Sequence, residues 1–104
     1  MTRVRVCALS DLADKAATRF DVEDQRLAVA RIGDQVFVIG DRCSHADYSL
    51  SEGDLYPDEL ELECPKHGST FSLTSGEPQC LPATAPVPVY PTTVEGGDVF
   101  VEIP

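Results

Sequence analysis

The stretch Leu27-Ala28-Val29-Ala30-Arg31-Ile32-Gly33-Asp34-Gln35-Val36-Phe37-Val38-Ile39 reads as two apolar runs separated by Gly33-Asp34. Val and Ile suit a pleated, buried surface, and two residues such as Gly33-Asp34 between such runs are of the kind that closes a β-hairpin. The pattern recurs further on, where Thr92 to Glu95 and Asp98 to Ile103 flank Gly96-Gly97. Outward from these hairpins the period stays at two. Val4 and Val6 alternate with Arg3 and Arg5, and Phe20 and Val22 alternate with Arg19 and Asp21. Leu60 to Leu62 and Thr70 to Leu73 suggest further short strands. The one helix candidate is Ser10 to Ala17 with Ser10 as N-cap, short enough for a turn or two at most. Pro78, Pro82, Pro86, Pro88 and Pro91 predict a stiff ordered loop and an edge strand. Many short strands between Gly and Pro turns imply an all-β fold, an antiparallel sandwich or barrel. No repeat and no linker splits the sequence, so residues 1–104 read as a single domain.

Composition excludes several functions. The 104 residues carry a net charge of −10, which argues against nucleic acid and against anionic membrane surfaces, since both require a basic face. An acidic protein is instead soluble, or steered toward a basic patch on a partner protein. No apolar run approaches the ~18 residues needed to span a bilayer. Met1-Thr2-Arg3-Val4-Arg5 leads into an alternating segment and not into a signal-peptide apolar stretch. The expected location is therefore cytoplasmic, where four cysteines serve as ligands or free thiols more readily than as disulfides.

The chemistry is concentrated in Cys43-Ser44-His45 and Cys64-Pro65-Lys66-His67-Gly68. Each segment places a thiolate and an imidazole two or three residues apart, and Gly68 lets the backbone turn sharply after the second pair. Two such loops facing one another offer two sulfur and two nitrogen ligands, a set that suits zinc or an iron–sulfur cluster with two histidines in place of two cysteines. Zinc pairs commonly use the wider C-x(2–4)-C or H-x(3–5)-H spacing, which the Cys43/His45 pair does not match. A two-iron centre can segregate its ligands, cysteines on one iron and histidines on the other, which accounts for the asymmetric pairing. The third reading, ordinary buried cysteines and hydrogen-bonded histidines, must explain why both histidines of the chain fall just downstream of a cysteine.

The spacing C-x-H, 18 residues, C-x-x-H resembles the signature of Rieske 2Fe–2S proteins. Asp41-Arg42-Cys43-Ser44-His45-Ala46-Asp47-Tyr48-Ser49-Leu50 is similar to the first cluster loop of the small ferredoxins of biphenyl- and toluene-type aromatic-ring dioxygenase systems. Cys64-Pro65-Lys66-His67-Gly68-Ser69-Thr70-Phe71 is similar to the second. Thr74-Ser75-Gly76 and Leu81-Pro82-Ala83 resemble the segment that covers the cluster in that family. The resemblance runs from Val4 to Ile103. It implies a Rieske fold, an antiparallel β-sandwich with a small cluster-binding subdomain of roughly residues 41–83 inserted between strands. It implies one 2Fe–2S cluster, with Cys43 and Cys64 on the buried iron and His45 and His67 on the outer one, nearer the surface. Rieske proteins of respiratory complexes carry two further cysteines that tie the loops together by a disulfide. Tyr48 and Lys66 stand at those positions here, and Cys7 and Cys80 fall elsewhere, as non-ligands. The high-potential branch also carries a serine and a tyrosine that tune the cluster. Ser69 matches the first, and Phe71 replaces the second.

The resemblance implies an electron carrier that is not itself an enzyme. A non-haem oxygenase needs a second iron held by two histidines and a carboxylate, and with His45 and His67 assigned none remains. None of the seven glycines forms G-x-G-x-x-G or a P-loop, so a nucleotide-dependent reductase is excluded too. The expected role is one-electron transfer from a flavoprotein reductase to a terminal ring-hydroxylating dioxygenase. The alternative is a Rieske-like accessory protein of iron–sulfur assembly or a nitrite reductase small subunit. Glu52, Asp54, Asp58, Glu59, Glu61 and Glu63 form an acidic run between the two loops, either a solvated loop or a docking face for a basic partner.

Overall fold

The computed structural model describes residues 2–44, 48–66, 68–79 and 83–103. Among them there is no α-helix. Ten strands run in order: β1 (Thr2–Ala8), β2 (Ala16–Val22), β3 (Gln25–Ile32), β4 (Gln35–Gly40), β5 (Leu55–Tyr56), β6 (Glu61–Glu63), β7 (Thr70–Ser72), β8 (Val89–Tyr90), β9 (Thr92–Glu95) and β10 (Asp98–Ile103). They form three antiparallel sheets of order β1-β10-β9, β2-β3-β4-β8 and β5-β6-β7. The all-β antiparallel expectation holds.

Strand β3 shows why the sheets stack as layers. Leu27, Ala28, Val29 and Ala30 are all fully buried, which a strand achieves only when both of its faces are covered. Leu27 and Val29 join Val38, Val99, Val101 and Ile103 in one core, while Ala28 and Ala30 join Ile39, Leu62 and Phe71 in a second. The four-stranded sheet is therefore the middle layer, with β1-β10-β9 on one side and the segment between β4 and β8 on the other. The alanines let that segment approach closely. Fully burying side chains such as Leu27 and Val29 contributes about 1.5–3 kcal/mol each, so β3 is a principal anchor of the fold.

Both hairpins form where the sequence places them. Gly33 (φ +62°) closes β3 to β4, and Gly96 (φ +57°) and Gly97 (φ +80°) close β9 to β10. Strand β8 pairs through Val38–Tyr90 and Ile39–Val89 at the edge of the middle sheet, so the proline-rich segment ends in an edge strand.

The Ser10–Ala17 helix does not form. A single 3-10 turn spans Leu9–Asp11 with Ala8, not Ser10, at its N-cap. The Asp11 carboxylate accepts the Ala8 N–H at 3.1 Å. Lys15 takes a left-handed φ of +57° and donates its N–H to the Arg31 carbonyl at 2.8 Å, after which Ala16 and Ala17 enter β2. A two-turn helix is marginal without tertiary support, and here Ala16 and Ala17 pair instead with Arg31 and Ala30 of β3.

Candidate metal centre

The two cysteines occupy equivalent places in two hairpin-like loops. Cys43 donates its N–H to the Tyr48 carbonyl at 2.9 Å, and Cys64 donates its N–H to the Ser69 carbonyl at 2.7 Å. Each thus closes the neck of a loop whose far side lies five residues on. In the first loop an Arg42–Ser49 bridge continues the ladder, and the chain then makes a 3-10 turn over Leu50–Glu52. In the second, Gly68 at φ +75° donates its N–H to the Cys64 carbonyl at 3.1 Å and feeds β7. The sharp backbone turn expected at Gly68 is present, in a left-handed conformation that favours glycine. His45 and His67, together with Ala46, Asp47, Cys80, Leu81 and Pro82, lie outside the described residues.

Cys43 and Cys64 are 2% and 1% exposed, belong to the same core cluster and are not joined by a disulfide. Two buried cysteines at matching loop necks offer two sulfur donors in one core, a chemistry that fits an iron held away from water. Cys7 is buried and outside any disulfide, but it lies in the other core, among Val99, Val101 and Leu12. Its burial pushes its thiol upward, with the neighbouring Asp11 acting in the same direction and Arg5 opposing. It packs in a different core from Cys43 and Cys64.

Other contacts hold the two loops in register. Gly53 follows the first loop, and a Cβ there would lie 1.6 Å from the Glu63 carbonyl oxygen, next to Cys64. Glu63 donates its N–H to the Asp54 carbonyl at 2.9 Å, completing that contact. Ala83 and Ala85 of the proline-rich segment each bond one of the loops. Ser44 Oγ donates to the Ala85 carbonyl at 2.5 Å, and the Ala83 N–H donates to Ser69 Oγ at 3.1 Å. Lys66 Nζ sits 5.5 Å from the Tyr48 ring centroid. These are the two positions where the respiratory branch would place its disulfide, so a cation–π contact joins the loops there.

Sequence reasoning missed two residues of this site. Asp41 is a fully buried carboxylate at the root of the first loop; in a chain of 18 acidic residues nothing local distinguishes it. Gly53 sits in a polar stretch that reads as loop, and only the close approach of Glu63 reveals its role. The acidic run has two parts. Glu52, Asp54, Asp58 and Glu59 are exposed, whereas Glu61 and Glu63 are half-buried on one face of β6. Tyr56 Oη donates to Glu63 Oε1 at 3.0 Å, and this bond holds the tyrosine hydroxyl above its ordinary range.

No helix among the described residues is long and apolar enough to cross a membrane. A model of the Rieske [2Fe-2S] domain matches residues 2–91. The 3-phenylpropionate/cinnamic acid dioxygenase ferredoxin subunit of Escherichia coli K12 is 41% identical over 104 residues, covering all of this chain and 96% of that one. Among solved structures, the ferredoxin of carbazole 1,9a-dioxygenase from Nocardioides aromaticivorans IC177 superposes with a TM-score of 0.93 at 39% identity, covering 97% of each chain. A ferredoxin in a complex of reduced oxygenase and oxidized ferredoxin of carbazole 1,9a-dioxygenase gives 0.86 at 39% identity, covering 95% of this chain and all of that one. The domain match includes both thiol loops and the strand that follows the covering segment, and the ferredoxin likeness runs the whole length. The chain belongs to the Rieske [2Fe-2S] domain family and stands among its ferredoxin subunits.

Proposed function

We propose that Cys43, His45, Cys64 and His67 hold one 2Fe–2S cluster, and that the chain carries single electrons from a flavoprotein reductase to the terminal oxygenase of a ring-hydroxylating dioxygenase system in the cytoplasm. The observation that carries the ligand assignment is the pair of buried, disulfide-free thiols at equivalent necks of two adjoining loops. Residues 41–83 form the cluster-binding subdomain in this reading. When bound, the cluster supplies a one-electron couple tuned by its ligands and by hydrogen bonds to its sulfurs. The chain's own residues keep water from the thiols: Phe71, Leu50, Leu62 and Leu73 surround them in the core. The relatives at 41% and 39% identity are ferredoxins of dioxygenase systems, which favours an oxygenase acceptor over a nitrite reductase or an assembly scaffold.

Purified protein is expected to be red-brown, with two irons and two acid-labile sulfides per chain. Replacing His45 or His67 abolishes the Rieske electron paramagnetic resonance signal, while Cys7→Ser leaves it intact. One zinc per chain without sulfide would overturn the assignment.

A further inference from the structure

The first cysteine loop is rooted on Asp41, a charged residue with no exposure at all. Burying a carboxylate costs several kcal/mol unless it is paired and hydrogen-bonded, and Asp41 is surrounded accordingly. Its Oδ1 accepts the Ser51 N–H at 3.0 Å, and its Oδ2 accepts the Ser49 hydroxyl. Arg26 Nη2 lies 3.6 Å and Arg19 Nε 3.9 Å from the same Oδ2. The backbone is held as well: the Asp41 N–H donates to the Arg26 carbonyl at 3.0 Å, and the Asp41 carbonyl accepts the Leu50 N–H at 2.6 Å. Ser49 Oγ is a further 2.9 Å from Ser51 Oγ. Every one of these partners lies either on β2 and β3 or on the returning limb of the loop that contains Cys43.

We infer that Asp41 is a positioning residue for the cluster. It locks both limbs of the Cys43 loop to the middle sheet, and its fixed negative charge, two residues from Cys43, lowers the reduction potential. The inference rests on the reading that the Cys43 loop holds the cluster. Reduction adds an electron at the cluster, so a nearby buried anion disfavours the reduced form, and the low dielectric of the site screens that effect little. Arg26 and Arg19 offset part of the charge, which makes the potential sensitive to both members of the pair. Exposed Asp21 also binds Arg19, at 3.0 Å, yet lies in solvent and serves as the control.

The test compares cluster-loaded wild type, Asp41→Asn, Ser49→Ala, Arg26→Gln and Asp21→Asn by voltammetry, with the rate of iron release to a chelator as a second readout. Asp41→Asn preserves shape and removes charge, and its midpoint is expected to move positive. Arg26→Gln leaves Asp41 less compensated, and its midpoint is expected to move negative. Ser49→Ala keeps the charge but cuts one tie, so iron release is expected to quicken severalfold with a smaller change in potential. Asp21→Asn is expected to match wild type in both. An Asp41→Asn midpoint equal to wild type overturns the inference. If Asp41→Asn does not retain its cluster, Arg26→Gln decides: an unchanged midpoint overturns the inference, and a negative shift supports it. Wild type that holds zinc and no sulfide defeats the ligand assignment instead, so the two failures are distinguishable.

Discussion

Ser69 is fully buried beside Cys64, and its hydroxyl oxygen accepts the Ala83 N–H at 3.1 Å. A serine hydroxyl that accepts one hydrogen bond can also donate one. A hydrogen bond to a cluster sulfur that is ~1 kcal/mol stronger in the reduced state would raise a one-electron midpoint by about 40 mV. Ser69→Ala is therefore expected to lower the midpoint by some tens of millivolts with iron content unchanged, as voltammetry on the two proteins will show. Phe71 has no hydroxyl to add and is instead one of the largest fully buried side chains, packed in the core that holds both thiols. The resemblance to the high-potential Rieske branch singles out Ser69 and Phe71, and the structure adds that both are buried. Asp41 was not legible in the sequence, because its meaning comes from Arg26 and Arg19 on other strands. Cys7 gives a second check at this scale. Burial, reinforced by Asp11, raises its thiol in the folded state, so the folded protein binds that proton more tightly than the unfolded chain does. Its contribution to stability is present below the ordinary thiol range and is lost as pH rises through the raised value. At pH 8 Cys7 is expected to react with a thiol reagent far more slowly in the native protein than in denaturant.

Among the elements, the β9–β10 hairpin matches its sequence reading residue for residue, because alternation and the Gly96-Gly97 turn are local properties. The helix at Ser10–Ala17 failed because its competitor was not local: the Arg31 carbonyl and the Asp14 carboxylate, which accepts the Gly33 N–H at 2.7 Å, bind the segment to the next hairpin. In β1 the register slips between Arg5 and Cys7, a bulge that brings Cys7 onto the core face. Strict alternation does not foresee it. Two glycines separate backbone conformation from close approach. At Gly33 a Cβ would meet nothing within 4 Å, so only its φ of +62° matters, and Gly33→Ala is expected to cost about 1–2 kcal/mol. At Gly53 a Cβ would overlap the Glu63 carbonyl, a backbone atom unable to swing aside as a side chain would. Gly53→Ala must then force β6, and Cys64 with it, away from the first loop. A larger fall in melting temperature than for Gly33→Ala, together with reduced iron per chain, is the expected outcome. Full iron content in Gly53→Ala would show that the two loops tolerate separation.

Across the whole molecule, β3 divides the interior into two cores with different dependence on the cluster. One is built from β1, β10 and the facing side of β3 and contains no proposed ligand. The other includes Cys43 and Cys64 and is contributed largely by residues 41–88, which connect β4 to its neighbour β8. The sequence reveals that β3 is apolar on both faces, but not which sheet covers each, because the pairing of β1 with β10 joins strands from opposite ends of the chain. Loop-closure entropy opposes such distant contacts, and the proposed cluster, held by Cys43 and Cys64 together, would offset the closure cost of the second core alone. Removing iron with a chelator should therefore lower the melting temperature and loosen the molecule unevenly. In hydrogen exchange, the amides of Cys43, Leu50 and Cys64, which close the loops at 2.9, 2.6 and 2.7 Å, are expected to lose protection first. The amides of Leu27, Val29, Val99 and Val101 are expected to keep theirs, since their core is closed without the loops. Protection lost equally in β10 and in the Cys43 loop would show that the two cores unfold as one unit, and that the cluster stabilises the entire sandwich and not only the inserted segment.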